Sequence, residues 1–155
     1  MNKLSTLILL LFIGVGFSAA FGQDSTPLYA GQRDGGTGNV LTTIDTAGGS
    51  WTVTGTVTMS SDFGPVEALN GITMDPVSEE MYVLYESSAG AQNRRLGTIN
   101  VETGNISDIG DADNMTDLQF DGAGILYAVG GNWDSNFAIW EIDLLTAGQT
   151  MVYDP

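Results

Sequence analysis

The sequence predicts an all-β chain in which a unit of four short strands recurs, with about three copies present. Three observations carry this. Tyr29, Tyr82 and Tyr127 sit in the related segments "PLYAG", "EMYVLY" and "ILYAVG", 53 and 45 residues apart. Each is followed by a second matching segment, "LTTIDT", "LGTINV" or "IWEIDL", whose central Ile44, Ile99 and Ile142 lie 15, 17 and 15 residues after the tyrosine. The runs between turn residues are short, alternating or wholly apolar, and rich in Val, Ile, Tyr and Thr, and none keeps a helical period for three turns.

The exception is the N-terminus. "MNKLSTLILLLFIGVGFSAAFGQ" has a lysine-bearing start, an apolar run from Leu7 to Phe17 and then small residues, the pattern of a secretory signal helix. The run falls short of the roughly 20 residues that span a bilayer. Residues 1–22 are therefore read as a signal, and the mature protein as secreted, periplasmic or held at the cell surface, with no membrane span after cleavage.

The mature region, 23–155, divides into three units. The first, 28–58, has strands at 28–31, 40–46 and 51–58. The second, 70–110, has strands at 71–75, 81–85, 96–101 and 106–109. The third, 115–153, has strands at 118–121, 125–129, 138–143 and 150–153. "GITMDP" and "DLQFDG" open the second and third units, their closing Asp75 and Asp121 lying 46 residues apart. "AGG", "ETGN" and "TAGQ" punctuate the later hairpins. A four-stranded antiparallel unit repeating at this period is the pattern of a β-propeller blade, with strands lettered a to d from the axis outward. The first unit lacks strand a, so the ring is incomplete, since closure takes about four to eight blades. The remainder of a longer chain is expected to close it, with an oligomer as the alternative. A β-sandwich, which uses strands of similar spacing, is the alternative architecture.

The segments "GITMDP...MYVLY...LGTINVETGNISDIG" and "DLQFDGAGILYAV...IWEIDLLTAG" resemble the repeats of secreted bacterial β-propellers of the YVTN-like and WD-repeat-like kind. The resemblance spans nearly the whole mature region. It implies architecture rather than activity, because propellers serve as enzymes, adhesins and scaffolds. The sequence departs from that pattern at "VSEE", where the turn glycine is absent, and at Trp140.

Composition narrows the chemistry. Nineteen carboxylates face four cations, a formal net charge of −15, which disfavours nucleic acid and anionic membranes as partners. The cations left after signal removal are Arg33, Arg94 and Arg95. With no cysteine and no histidine, the chain by itself can build neither a Cys/His zinc site nor a Ser-His-Asp triad nor a Cys-His dyad.

If the units are blades, the longer connections share one rim: "GQRDGGTGN", "SSDFGPVEALN", "ESSAGAQNRR", "DADNMTD" and "GGNWDSNF". Long loops on a rigid scaffold are where binding residues concentrate. Trp133 with its neighbour Asp134 is a candidate platform for a glycan or an anchor for a protein, or else Trp133 folds over the blade edge. Trp51 and Trp140 are expected to pack within strands. Arg33, Arg94 and Arg95 could receive acidic groups of a ligand, or the Arg94-Arg95 pair simply offsets local acidity. Asp111, Asp113, Asn114 and Asp117 offer oxygen ligands of the kind calcium takes, or form a solvated turn; the spacing is not that of an EF-hand. Asn105 and Asn114 match the glycosylation acceptor pattern. The expectation is an exported, non-catalytic binding or scaffold module for a protein or glycan. The alternative is a calcium-assisted hydrolase or lactonase drawing on Asp62, Glu67, Asp111 and Asp117.

Overall fold

The computed structural model describes residues 27–34, 38–47, 50–89, 94–112, 115–130 and 137–153, and the expected signal helix lies outside them. These residues are all-β. They form three sheets of three, five and four strands. Sheet I has the order β1 (Leu28–Asp34), β2 (Gly38–Asp45), β3 (Thr52–Thr58). Sheet II runs β4 (Ser60–Ser61), β8 (Asn105–Asp111), β7 (Arg94–Ile99), β6 (Met81–Ser87), β5 (Val66–Met74). Sheet III runs β12 (Gln149–Tyr153), β11 (Ala138–Ile142), β10 (Leu126–Gly130), β9 (Met115–Phe120). Sheet II lies between the other two, touching sheet I through β5 and sheet III through β5 and β6.

Eleven of the twelve strands among the described residues overlap segments that the repeats point to; β1 runs on to Asp34 and β9 starts at Met115, each three residues past the expected bound, and two larger differences stand out. β5 begins at Val66 rather than near Gly71, because register shifts between Val66 and Ala68 and between Leu69 and Gly71 break its alternation. β4 was not expected at all. Its two residues pair in parallel with Asn105 and Ile106, so the chain leaving sheet I runs along the outer edge of sheet II before crossing to its first strand.

The tight turns share one construction. Asp75 accepts from the Val77 amide at 2.9 Å and the Ser78 hydroxyl at 2.7 Å. Asn100 Oδ1 accepts from the amides of Glu102 and Thr103, both at 3.0 Å, and Asp143 Oδ1 from those of Leu145 and Thr146 at 2.8 and 2.9 Å. A short polar side chain thus satisfies the amides that the strand ladder has released. In each case the residue four places on donates back to the first residue's carbonyl, and it has a left-handed backbone: Glu79 (φ 61°), Gly104 (φ 75°) and Ala147 (φ 57°). "VSEE" therefore keeps the turn without its glycine.

Two apolar clusters fill the spaces between sheets. Leu41, Met59, Val66, Val83, Tyr85, Ile99 and Ile106 pack between sheets I and II. Tyr82, Leu84, Leu96, Met115, Leu118, Phe120, Leu126 and Ile142 pack between sheets II and III. Strand alternation divides β6 between them, so Tyr82, Val83, Leu84 and Tyr85 are all 6 % exposed or less. The flanking sheets are buried only toward sheet II. Trp140 packs against the second cluster as expected of it. Trp51 does not pack: it precedes β3 and is 84 % exposed.

Candidate functional site

Successive antiparallel strands reverse direction, so within each sheet the longer connections leave from one end and the tight turns from the other. At the long-loop end of sheet II, Ser88 donates to the Pro65 carbonyl at 3.2 Å and Ala112 to the Arg94 carbonyl at 2.8 Å. This end is the candidate site. Trp133, Asp134, Asp113 and Asn114 lie outside the described residues, as does the side chain of Arg33, whose backbone pairs with Asn39.

Arg94 and Arg95 are adjacent on a strand and therefore face opposite ways. Each makes contacts within the fold. Arg95 is buried (8 % exposed) on the face turned to sheet I. Its Nε and Nη2 donate to the two oxygens of Asp108 at 2.6 and 2.5 Å, its Nη1 donates to Asp111, and its guanidinium lies 3.5 Å from the centre of the Phe63 ring. Tyr85 donates to the same Asp108 at 2.6 Å and lies 3.0 Å from the Ser61 hydroxyl, which in turn receives the Phe63 amide at 3.0 Å. Asp62 receives the Asp108 amide at 2.9 Å. The network fastens "SSDF" to the outer strands of sheet II.

Its electrostatics follow from burial and pairing. Desolvation raises the Asp108 carboxyl, but the hydrogen bonds from Arg95 and Tyr85 together outweigh it and leave the group below the ordinary carboxylate value. Desolvation, aided by the bond to Asp108, pushes the Tyr85 phenol up to about 12. The bonds to Asp108 hold the Arg95 guanidinium still more firmly charged.

Arg94 does a different task. Its Nε pairs with Glu86 at 3.2 Å, while Nη1 donates to the carbonyl of Met115, the first residue of sheet III. Asn39 repeats this arrangement one sheet earlier, with its side-chain amide donating to the carbonyl of Val66 at the start of β5. The backbones match as well: Met59 donates to Asn39 and Ala112 to Arg94, both at 2.8 Å. Counting back from Ile44 and Ile99, Asn39 and Arg94 occupy one position of the repeat. It ties each sheet to the first strand of the next. The same count from Ile142 reaches Phe137, which is exposed.

Of the proposed calcium ligands, the described two face different neighbours. Asp111 accepts from Arg95, and Asp117 receives the Leu118 amide and lies beside Gly71 of β5. Among the described residues no three carboxylates gather as a metal site. Glu67 is exposed on β5. Asn105 is exposed on β8 and accepts from the Ser60 hydroxyl at 2.9 Å. Sequence reasoning missed Ser61, Phe63, Tyr85 and Asp108, because nothing in their spacing announces that a linker segment will return to a strand edge.

A further concavity runs along the outer face of sheet III and reaches Ile72 of β5, an open trough of about 660 Å³ lined also by Asp117, Tyr127, Val129, Ile139 and Val152. No family model matches the chain, and no curated protein is similar to it.

Proposed function

We propose that the chain is part of an exported β-propeller that acts as a non-catalytic module and binds a protein or glycan through its long-loop rim. One observation carries the ring reading. The middle sheet is buried on both faces, while each flanking sheet leaves an apolar face uncovered, as expected of consecutive blades in an unfinished stack. The orientation of the repeated tyrosine supports it: Tyr29 packs toward sheet II and Tyr82 toward sheet III, where it meets Phe120 edge-on at 5.2 Å, and Tyr127 lines the trough beyond sheet III. Further units, supplied by the remainder of a longer chain or by another copy of this one, would complete the ring.

The rim reading draws support from the clamps beneath it. Arg94, Arg95 and Asp108 make a rigid base, and variable connections on a rigid base are how scaffolds present binding residues. The net charge of −15 favours partners other than nucleic acid or an anionic membrane surface. The test is binding of the purified chain to a glycan panel and to cell-surface proteins, with Trp133→Ala alongside. Retained binding in that variant removes Trp133 from the account, and no binding to either class of partner defeats the proposal.

A further inference from the structure

We infer that the trough on sheet III seats the outer face of sheet I of a second copy of this chain. The argument starts from the junction of sheets II and III. There, β6 and β7 contribute the cross-strand pair Leu84 and Leu96 with Tyr82 beside it, and β10 and β11 contribute the pair Leu126 and Ile142 with Ala128 beside it. Both sets are buried in one cluster.

Each half of that junction is repeated on an uncovered face. Tyr127, Val129 and Ile139 of sheet III occupy the repeat positions of Tyr82, Leu84 and Leu96, and Val129 pairs with Ile139 as Leu84 pairs with Leu96. These three line the trough, with Val129 41 % and Ile139 36 % exposed. On sheet I, Leu28, Ala30 and Ile44 occupy the positions of Leu126, Ala128 and Ile142, and Leu28 pairs with Ile44 as Leu126 pairs with Ile142. Leu28 is 56 % exposed, and Val53, the partner of Ile44 on β3, is 62 % exposed. Gly31 and Leu41 mark the opposite face, turned to sheet II, since Gly31 lies against Leu69 and Leu41 is fully buried. The two uncovered faces are thus the two halves of one junction, and a contact between them continues the series already formed by sheets I, II and III.

The contact is head-to-tail, using different surfaces of the two copies, so it continues the stack of sheets from one chain to the next. Among the described residues sheet I has no counterpart of β9, the strand that brings Leu118 and Phe120 to the internal junction, so this contact is weaker than that one and depends on concentration. Both copies carry the same strong negative charge, so added salt strengthens it by screening their repulsion.

The inference rests on the stacking half of the proposed function and not on ligand binding at the rim. The test is sedimentation and light scattering of the chain expressed from its first codon. A dimer that grows with concentration and with salt is expected, with Ile139→Arg and Leu28→Arg each giving monomer and a mixture of the two variants restoring a pair. Should either arginine variant fail to fold, disulfide capture replaces it, since the chain has no cysteine of its own. Val129→Cys and Leu28→Cys chains are expected to cross-link to each other in preference to themselves. A chain that stays monomeric at high micromolar concentration, or a dimer untouched by Leu28→Arg, overturns the inference. Rim binding that persists in such a monomer shows that only this contact has failed.

Discussion

Asp108→Ala tests the network that fastens the linker to sheet II. The wild-type carboxylate takes two bonds from Arg95 and one from Tyr85, all at 2.6 Å or less, and its side chain is only 16 % exposed. Removing it leaves a guanidinium that is 10 % exposed without its main partner and a phenol without its acceptor. Loss of one member of a buried pair costs about 3–5 kcal/mol. Arg95 keeps Asp111 and Phe63, and Tyr85 keeps Ser61, so the lower end of that range, about 3 kcal/mol, is expected. In urea denaturation the midpoint should fall with the slope unchanged. The Asp111→Ala control removes an exposed partner (59 %) and should cost about 0.5 kcal/mol. Combining Asp108→Ala with Arg95→Met should recover about 2 kcal/mol relative to the sum of the single changes, because no buried charge is then left alone. A loss below about 1 kcal/mol for Asp108→Ala, the size expected of a surface pair, would refute the reasoning.

Four further outcomes are expected. Glu79→Gly relieves a left-handed backbone at an exposed turn, and after the flexibility that glycine adds to the unfolded chain it should stabilise by about 0.5–1 kcal/mol, read as a higher melting temperature. Gly104→Ala does the reverse: it imposes a side chain at φ 75° and puts its Cβ 2.4 Å from the Thr58 carbonyl oxygen, so a loss of about 3 kcal/mol is expected by urea denaturation. The Tyr85 phenol is raised from 10.0 to about 12, so its contribution is complete below pH 10 and is lost as pH rises through 12; Tyr85→Phe should flatten the fall in melting temperature across that window. Asp108 is lowered from 3.8, so its contribution is present above that value and is lost as pH falls through the depressed one, a limb that Asp108→Asn should flatten.

Most of the strands were legible because two signals agree in them. Period-2 apolar patterning marks "MYVLY" and "ILYAV", and Asp, Asn and Gly mark the turns on either side. Where those signals part, the reading fails. The doubled register shift in "VEALNG" hides the first half of β5, and "SS" at 60–61 is too short to carry a period. The candidate site was less legible still. "RR" at 94–95 reads either as a receiver of ligand carboxylates or as an offset to local acidity, and only the strand shows that one goes to Asp108 on one face and the other to Glu86 and Met115 on the opposite face. Trp51 reads as packed because it adjoins a strand, but among the described residues sheet I has no neighbouring sheet on its outer side, and Trp51 is 84 % exposed.

The sequence by itself determined the all-β class, the repeat and its hairpin turns, and the exclusion of chemistry that needs histidine or cysteine within this chain. These depend on local periodicity, on side chains that bond their own turns, and on composition. Tertiary structure alone decided which polar groups are spent on the fold, which faces stay uncovered, and how one repeat position, held by Asn39 and then Arg94, joins sheet to sheet. The physical reason is that burial and pairing are set by whichever residues arrive from elsewhere in the chain: Asp62 reaches Asp108 from 46 positions away, a separation that no local pattern records.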